Sequence, residues 1–261
     1  ATRPLHTGRE MPLIGLGTWQ LTRDTAATVE EALRLGYPMI DTAGDYGTQP
    51  GIGEALHRMG DPDVYLVTKV EEDEDPYEGI LGNLDELAVE SVDLVVLHRP
   101  PADGSGVDLW RGLIRAREEG LTRDVGVSNY SIDEIEELAD ETGETPAVDQ
   151  IEWTPFGWSP RMLDYCREHE IAIQAYSPLT RAKRLDDERL GAVAGRYGRS
   201  PAQLMIRWCL QLGVVPLPKA NRLDHVRENL AVFDFEISDA DMGELNGLNE
   251  RWSALGMLQY A

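Results

Sequence analysis

Eight short apolar runs, each separated from the next by a longer stretch of helical pattern, limit what this chain can fold into more than any other feature. The runs are 11–18 (MPLIGLGT), 37–42 (YPMIDT), 64–69 (VYLVTK), 92–98 (VDLVVLH), 124–128 (DVGVS), 147–152 (AVDQIE), 171–176 (IAIQAY) and 214–218 (VVPLP). They do not alternate strictly between polar and apolar residues, so they read as strands buried on both faces, as parallel strands are. Helical patterns lie between them, among them 25–36, 108–120, 132–143 and 200–213, the last opening on the start signal Ser200-Pro201. Eight β–α units in 261 residues is the count that closes an α/β fold of the (β/α)8 barrel type. An open doubly wound sheet is the alternative, but it calls for a glycine-rich dinucleotide fingerprint after the first strand, and GLGTWQ at 15–20 matches that poorly. No low-complexity linker is present, so residues 1–261 read as one barrel domain. Residues 2–12, with a turn over His6-Thr7-Gly8-Arg9, predict a short N-terminal hairpin ahead of it.

The polar residues then fall in register. Asp41, Lys69, His98, Ser128, Gln150 and Tyr176 lie at or just past the C-terminal ends of successive runs, and Lys219 follows the eighth. That is the face on which barrel sites are built. Asp41, Tyr46, Lys69 and His98 together make a kit for delivering a proton to a carbonyl oxygen: a phenol, a cation to lower its pKa, a carboxylate to hold the cation, and an imidazole to orient the substrate. A free phenol, with a pKa near ~10, is a poor donor at neutral pH, and a buried ammonium beside it favours the phenolate. Lysine is scarce in the chain, with only Lys69, Lys183 and Lys219 against 24 basic residues in all, so each one kept asks for a reason.

The segments DTAGDYG (41–47), VTK (67–69), VLHRP (96–100) and VGVSNY (125–130), with GLGTW at 15–19 and ENLAVFDF at 228–235, resemble the aldo-keto reductase family of NADP(H)-dependent oxidoreductases nearly end to end. The resemblance implies hydride transfer from NADPH to a small aldehyde or ketone, with Tyr46 as general acid, Lys69 lowering its pKa, Asp41 paired with Lys69, and His98 orienting the carbonyl. For the cofactor it implies Ser128, Asn129 and Gln150 at the nicotinamide carboxamide, Tyr176 stacked on the ring, Ser177 and Leu179 along the pyrophosphate, and Thr18 among the remaining contacts. It sets Lys219 at the ribose 2′-phosphate and Glu228 and Asn229 near the adenine. Trp19 keeps its place in the substrate pocket. Three positions depart from the family pattern: Ala220 for a serine, His225 for an arginine at the 2′-phosphate, and Arg99 for a tryptophan beside the catalytic histidine. Arg222 is positioned to compensate for His225, and NADH joins NADPH as an expected cofactor. Arg99 either turns to an acidic loop residue such as Asp103 or faces the substrate. Lys183 either reaches the pyrophosphate loop or is a solvated loop charge.

A net charge of −23 argues against nucleic acid and anionic membrane as partners. Together with the missing lysines it predicts a halophilic protein, because molar salt shortens the Debye length to about 3 Å. Acidic runs such as 71–76 and 133–141 read as solvated faces, and 42% hydrophobic residues predict a packed core rather than disorder. Cys166 and Cys209 read as buried thiols, with no metal site and no disulfide expected. No long apolar span or cleavable signal is visible, so a cytoplasmic monomer is the expectation. A non-catalytic NADP(H)-binding sensor or accessory subunit on the same barrel is the rival reading, and Tyr46 argues against it, since a binding protein has no need of the phenol.

Overall fold

The computed structural model describes residues 1–21 and 24–261. Two short strands, β1 (Thr2–Pro4) and β2 (Glu10–Pro12), form the expected antiparallel hairpin. Next in the chain come β3 (Leu16–Gly17), α1 (Thr25–Leu35), β4 (Met39–Asp41), α2 (Gln49–Arg58), β5 (Tyr65–Val70), α3 (Pro76–Leu87) and β6 (Val92–Leu97). They are followed by α4 (Val107–Glu118), β7 (Thr122–Ser128), α5 (Ile132–Thr142), β8 (Val148–Glu152), α6 (Pro160–Glu168) and β9 (Ala172–Tyr176). The chain ends with α7 (Glu188–Arg196), α8 (Pro201–Gln211), β10 (Val215–Pro216), α9 (Leu223–Leu230) and α10 (Asp239–Asn246). Strands β3 to β10 pair in parallel in chain order. The ring closes where the Gly15 and Gly17 amides donate to the Pro216 and Pro218 carbonyls at 3.1 Å each. Prolines serve at this seam because only their carbonyls are needed there. A Cβ on Gly17 would sit 2.8 Å from the Leu217 carbonyl oxygen, so the closing strand must carry glycine.

The first run divides: Met11 and Pro12 belong to the hairpin and only Leu16–Gly17 to the barrel. Helix ends follow their sequence signals. Ser131 with Glu134 and Ser200 with Gln203 form reciprocal capping boxes, and Pro201 opens α8.

Side chains alternate across each strand, which sorts the barrel interior into layers. Met39, Val67, Leu94, Val96, Val148, Ala172 and Val215 form an apolar plug, sealed by Leu5 and Met11 of the hairpin. Two positions further along, the same alternation delivers Asp41, Lys69, His98, Gln150 and Gln174. A second, larger cluster fills the space between sheet and helices, including Trp110, Trp153, Trp158 and Trp208. Cys166 and Cys209 are buried free thiols. No helix among the described residues is long and apolar enough to cross a membrane.

Asp149 faces the opposite way from Gln150 and is fully buried with neither carboxylate oxygen hydrogen-bonded. Burial lifts its pKa well above the ordinary 3.8; the Tyr130 amide offsets part of this without reaching hydrogen-bond geometry. A raised folded-state pKa means the folded chain holds a proton the unfolded chain has lost, so this contribution to stability falls as pH rises above the ordinary carboxylate value. Asp149→Asn, which stays neutral without taking up a proton, is therefore expected to gain stability relative to wild type as pH rises above the ordinary carboxylate value. Melting curves between pH 5 and 9 check this: the difference between variant and wild type should move in favour of the variant with pH, and a constant or opposite trend refutes it.

Candidate active site

At the C-terminal face of the barrel a cavity of about 950 Å³ opens, the size of a cofactor or drug-sized ligand site. Lys69 is its anchor. It is 1% exposed, and its Nζ donates to Asp41 Oδ1 and Oδ2 at 2.9 Å each and to the Thr42 carbonyl at 2.8 Å. Burial alone would lower the lysine pKa, but Asp41 and Tyr46 outweigh it, and the ammonium is held above its ordinary value. Gln150 donates to Asp41 Oδ1 at 2.8 Å and to Gln174 Oε1 at 2.9 Å, bracing the carboxylate from the opposite wall.

Tyr46 closes a single 3-10 turn, Gly44–Tyr46, just beyond β4. Its ring lies 4.8 Å from Lys69 Nζ and meets the His98 ring edge-on at 5.9 Å. Burial raises the phenol pKa more than the charge and hydrogen bond of Lys69 lower it. The expectation that Lys69 would bring the phenol below its ordinary value is thus corrected: the pull exists, and desolvation exceeds it. Thr18 donates to the Asp41 carbonyl at 2.8 Å and packs against Thr48 Oγ1 at 3.1 Å, tying β3 to β4 beneath the site.

The cavity wall carries the rest of the anticipated residues. Thr18, Trp19, Arg99, Ser128, Asn129, Gln150, Tyr176, Ser177, Leu179, Lys219, Arg222, His225, Glu228 and Asn229 all line it, beside Asp41, Tyr46 and His98. Tyr176 donates to Asn129 Oδ1 at 2.6 Å, and Asn129 Nδ2 donates to the His98 carbonyl at 3.1 Å, so one network fixes the aromatic ring and the imidazole strand. Asn129 holds a left-handed φ of 63° to do so, a strain typical of functional positions. Gln150 lies mid-strand rather than at the end of β8, and its amide protons are spent on Asp41 and Gln174, leaving its carbonyl for a ligand.

Of the two alternatives for Arg99, the structure fits the turn to acidic loop residues: Glu71 and Glu72, at 3.9 and 3.6 Å, take the place of the example Asp103. Lys183 donates to the Ala254 carbonyl at 2.7 Å, outside the cavity lining. Arg222 lines the cavity and also pairs with Asp224 at 2.7 Å. Two residues were missed. Arg181 stacks 4.4 Å over the exposed Trp19 ring and donates to Gln20 Oε1 at 3.0 Å; Lys219 donates to the Gln20 carbonyl at 3.3 Å. Burial first, then Arg181, push Lys219 below its ordinary pKa, as expected of a cation that lacks an anion. Glu71, read as part of a solvated run, lies 2.6 Å from His98 Nδ1, with Asp45 at 3.7 Å. The alternation that carries Lys69 also carries Glu71 inward, but within the acidic run 71–76 nothing in the sequence sets it apart.

The cavity is thus electrically divided, with acids around His98 and, elsewhere in its lining, Lys219 and Arg181, neither of which forms an ion pair among the described residues. In a chain of charge −23, such a basic pair suits an anionic ligand. The model of the Aldo/keto reductase family matches residues 13–250. The chain is similar to methylglyoxal reductase DkgA of Escherichia coli (strain K12), 34% identical over 254 residues, covering 94% of this chain and 92% of that protein. It is similar to glyoxal reductase of Bacillus subtilis (strain 168), 35% identical over 257 residues, covering 95% and 93%. Its fold superposes on a silkworm aldo-keto reductase, AKR2E5, solved in complex with NADPH, with a TM-score of 0.90 at 27% identity, covering 97% and 89%.

Proposed function

The chain belongs to the aldo/keto reductase family, and on that premise we propose that its NADP(H)-dependent carbonyl reduction runs through Tyr46 as proton donor, with 2-oxoaldehydes such as methylglyoxal and glyoxal among its substrates. The observation that carries the reading is the buried Asp41–Lys69 pair held against Tyr46 at the floor of a ligand-sized cavity. Bound NADPH supplies the hydride. The protein's own part is to orient the carbonyl, deliver a proton to its oxygen, and exclude water.

Tyr46 is the donor because the phenol faces the cavity and adjoins a permanent ammonium. As the oxygen of the substrate gains negative charge, the phenol gives up its proton, and Lys69 stabilises the phenolate left behind. Asp41 keeps Lys69 charged in a site that would otherwise neutralise it. His98 presents a ring nitrogen to the carbonyl and sets the face exposed to attack. Tyr176, Ser128, Asn129 and the carbonyl of Gln150 suit the flat ring and amide of a nicotinamide, and Lys219 with Arg181 suits its phosphates. Trp19 forms the apolar side of the substrate pocket. Because Arg99 is already drawn to Glu71 and Glu72, the mouth favours neutral over carboxylated carbonyls.

The direct test is NADPH and NADH oxidation against a panel of small aldehydes, ketones and 2-oxoaldehydes. No turnover with any of them would overturn the reading and favour a binding protein. Cofactor choice is a separate expectation. Lys219 keeps a cation for a 2′-phosphate, Arg222 is occupied by Asp224, and His225 lacks the forked donors of an arginine. NADPH should bind only modestly better than NADH, and His225→Arg should widen the ratio roughly tenfold, the scale of one added charge-assisted hydrogen bond. Fluorescence titration of both cofactors measures it, and an unchanged ratio removes position 225 from the phosphate site.

A further inference from the structure

Glu71 follows the last residue of β5 and continues the alternation that points Lys69 into the barrel. Its Oε1 lies 2.6 Å from His98 Nδ1. Burial would raise the carboxyl pKa, but the hydrogen bond to His98 and the nearby Arg99 outweigh it, and Glu71 sits below the ordinary glutamate value. It is therefore an ionised acceptor, and an acceptor can be matched only by a donor. The Nδ1 of His98 must carry the proton. Every charged group near the ring fits that assignment: Asp45 on the turn after β4 is a second acceptor 3.7 Å from Nδ1, and Arg99 lies on the far side of Glu71 at 3.9 Å. Lys69 is committed to Asp41 and Thr42, and Tyr46 meets the ring edge-on.

We infer that Glu71 is a positioning residue that fixes the protonation pattern of His98, committing Nδ1–H to the carboxylate so that a neutral ring offers the cavity a bare Nε2. The inference rests on the reading of His98 as the group that orients the carbonyl. A bare Nε2 accepts hydrogen bonds and cannot give one to a carbonyl. Reduction of a carbonyl then requires the doubly protonated ring, which donates from Nδ1 to Glu71 and from Nε2 to the substrate. An alcohol, or a carbonyl bearing an adjacent hydroxyl, brings its own donor and is held by the neutral ring. Glu71 thus separates the pH dependence of the two directions and favours hydroxylated substrates once His98 has lost its second proton.

Two measurements test this. With ¹⁵N-labelled histidine, five imidazoles are present, and His98 is assigned by its loss in His98→Gln. Neutral His98 should show the Nδ1–H tautomer in wild type and move toward Nε2–H in Glu71→Leu. An Nε2–H signature in wild type, or the same tautomer in both proteins, overturns the inference without any activity being needed. In the second measurement, wild-type kcat/KM for reducing a simple aldehyde should fall about tenfold per pH unit on its alkaline limb, as loss of one required proton dictates. Alcohol oxidation should show no such fall. Glu71→Leu, whose neutral His98 can donate from Nε2, should keep reducing to higher pH. The comparison with Glu71→Leu separates His98 from Tyr46, because the substitution leaves the Asp41–Lys69–Tyr46 set in place. Superimposable profiles in the two proteins refute the role of Glu71. A wild type that reduces no carbonyl refutes the functional reading instead, and leaves the tautomer experiment to decide on Glu71.

Discussion

Tyr46→Phe is expected to lower kcat for carbonyl reduction by about 10²–10⁴-fold while leaving NADPH affinity within about twofold of wild type, since the substitution removes the proton donor and little else. The phenylalanine ring keeps the edge-on contact with His98 and the place above Lys69, so packing is preserved. The loss should fall on kcat and kcat/KM together, as for an interaction made in the transition state. Lys69→Met is a harsher change. It leaves Asp41 with Gln150 as its remaining hydrogen-bond donor at a 4% exposed position, and breaking a buried pair typically costs about 3–5 kcal/mol. A Lys69 variant that fails to turn over can therefore be unfolded, whereas a Tyr46→Phe protein that melts like wild type isolates the chemistry. Wild-type turnover in Tyr46→Phe would remove Tyr46 from the reaction.

The contrast between these residues shows where a sequence can be read and where it stops. Lys69 was legible because its alternation, its strand and its rarity all agree, and the barrel follows from eight buried runs in order. Strand ends were less legible. Gly15, Gly17, Pro216 and Pro218 look like turn residues, yet their backbone bonds close the ring, because a seam needs donors on one side and acceptors on the other rather than propensity. Glu71 was obscured by its neighbours: among the acids of 71–76 a single inward-pointing carboxylate carries no compositional mark, and only contact with His98 distinguishes it. Arg181 was obscured in the same way, since its role depends on a loop with left-handed φ at Ser177, Thr180, Arg181 and Ala182 that no local pattern announces.

Salt should move this protein in two opposite directions at once. Forty-seven acidic residues face 24 basic ones, and the excess is written into single helices. On α5, Asp133 and Glu137, Glu136 and Asp140, and Glu137 and Glu141 are like-charged neighbours one turn apart, each such pair unfavourable by about 0.2–0.5 kcal/mol. Screening removes those repulsions along with the long-range ones. It also weakens exposed ion pairs such as Arg34–Glu30 and Arg115–Glu119, but these contribute only about 0–1 kcal/mol each. Because the unpaired charge is so large, repulsion wins, and Tm should rise steadily from low salt toward molar KCl. The cavity behaves in the reverse sense. Lys219 and Arg181 would attract an anionic cofactor against the field of the whole molecule, and the same ions that steady the fold screen that attraction, so the Kd for NADPH should increase over the same range. Calorimetry and cofactor titration on one set of samples measure both. A Tm that is flat or falling would show that local ion pairs, not net charge, govern stability, and a Kd insensitive to salt would place the phosphates away from Lys219 and Arg181.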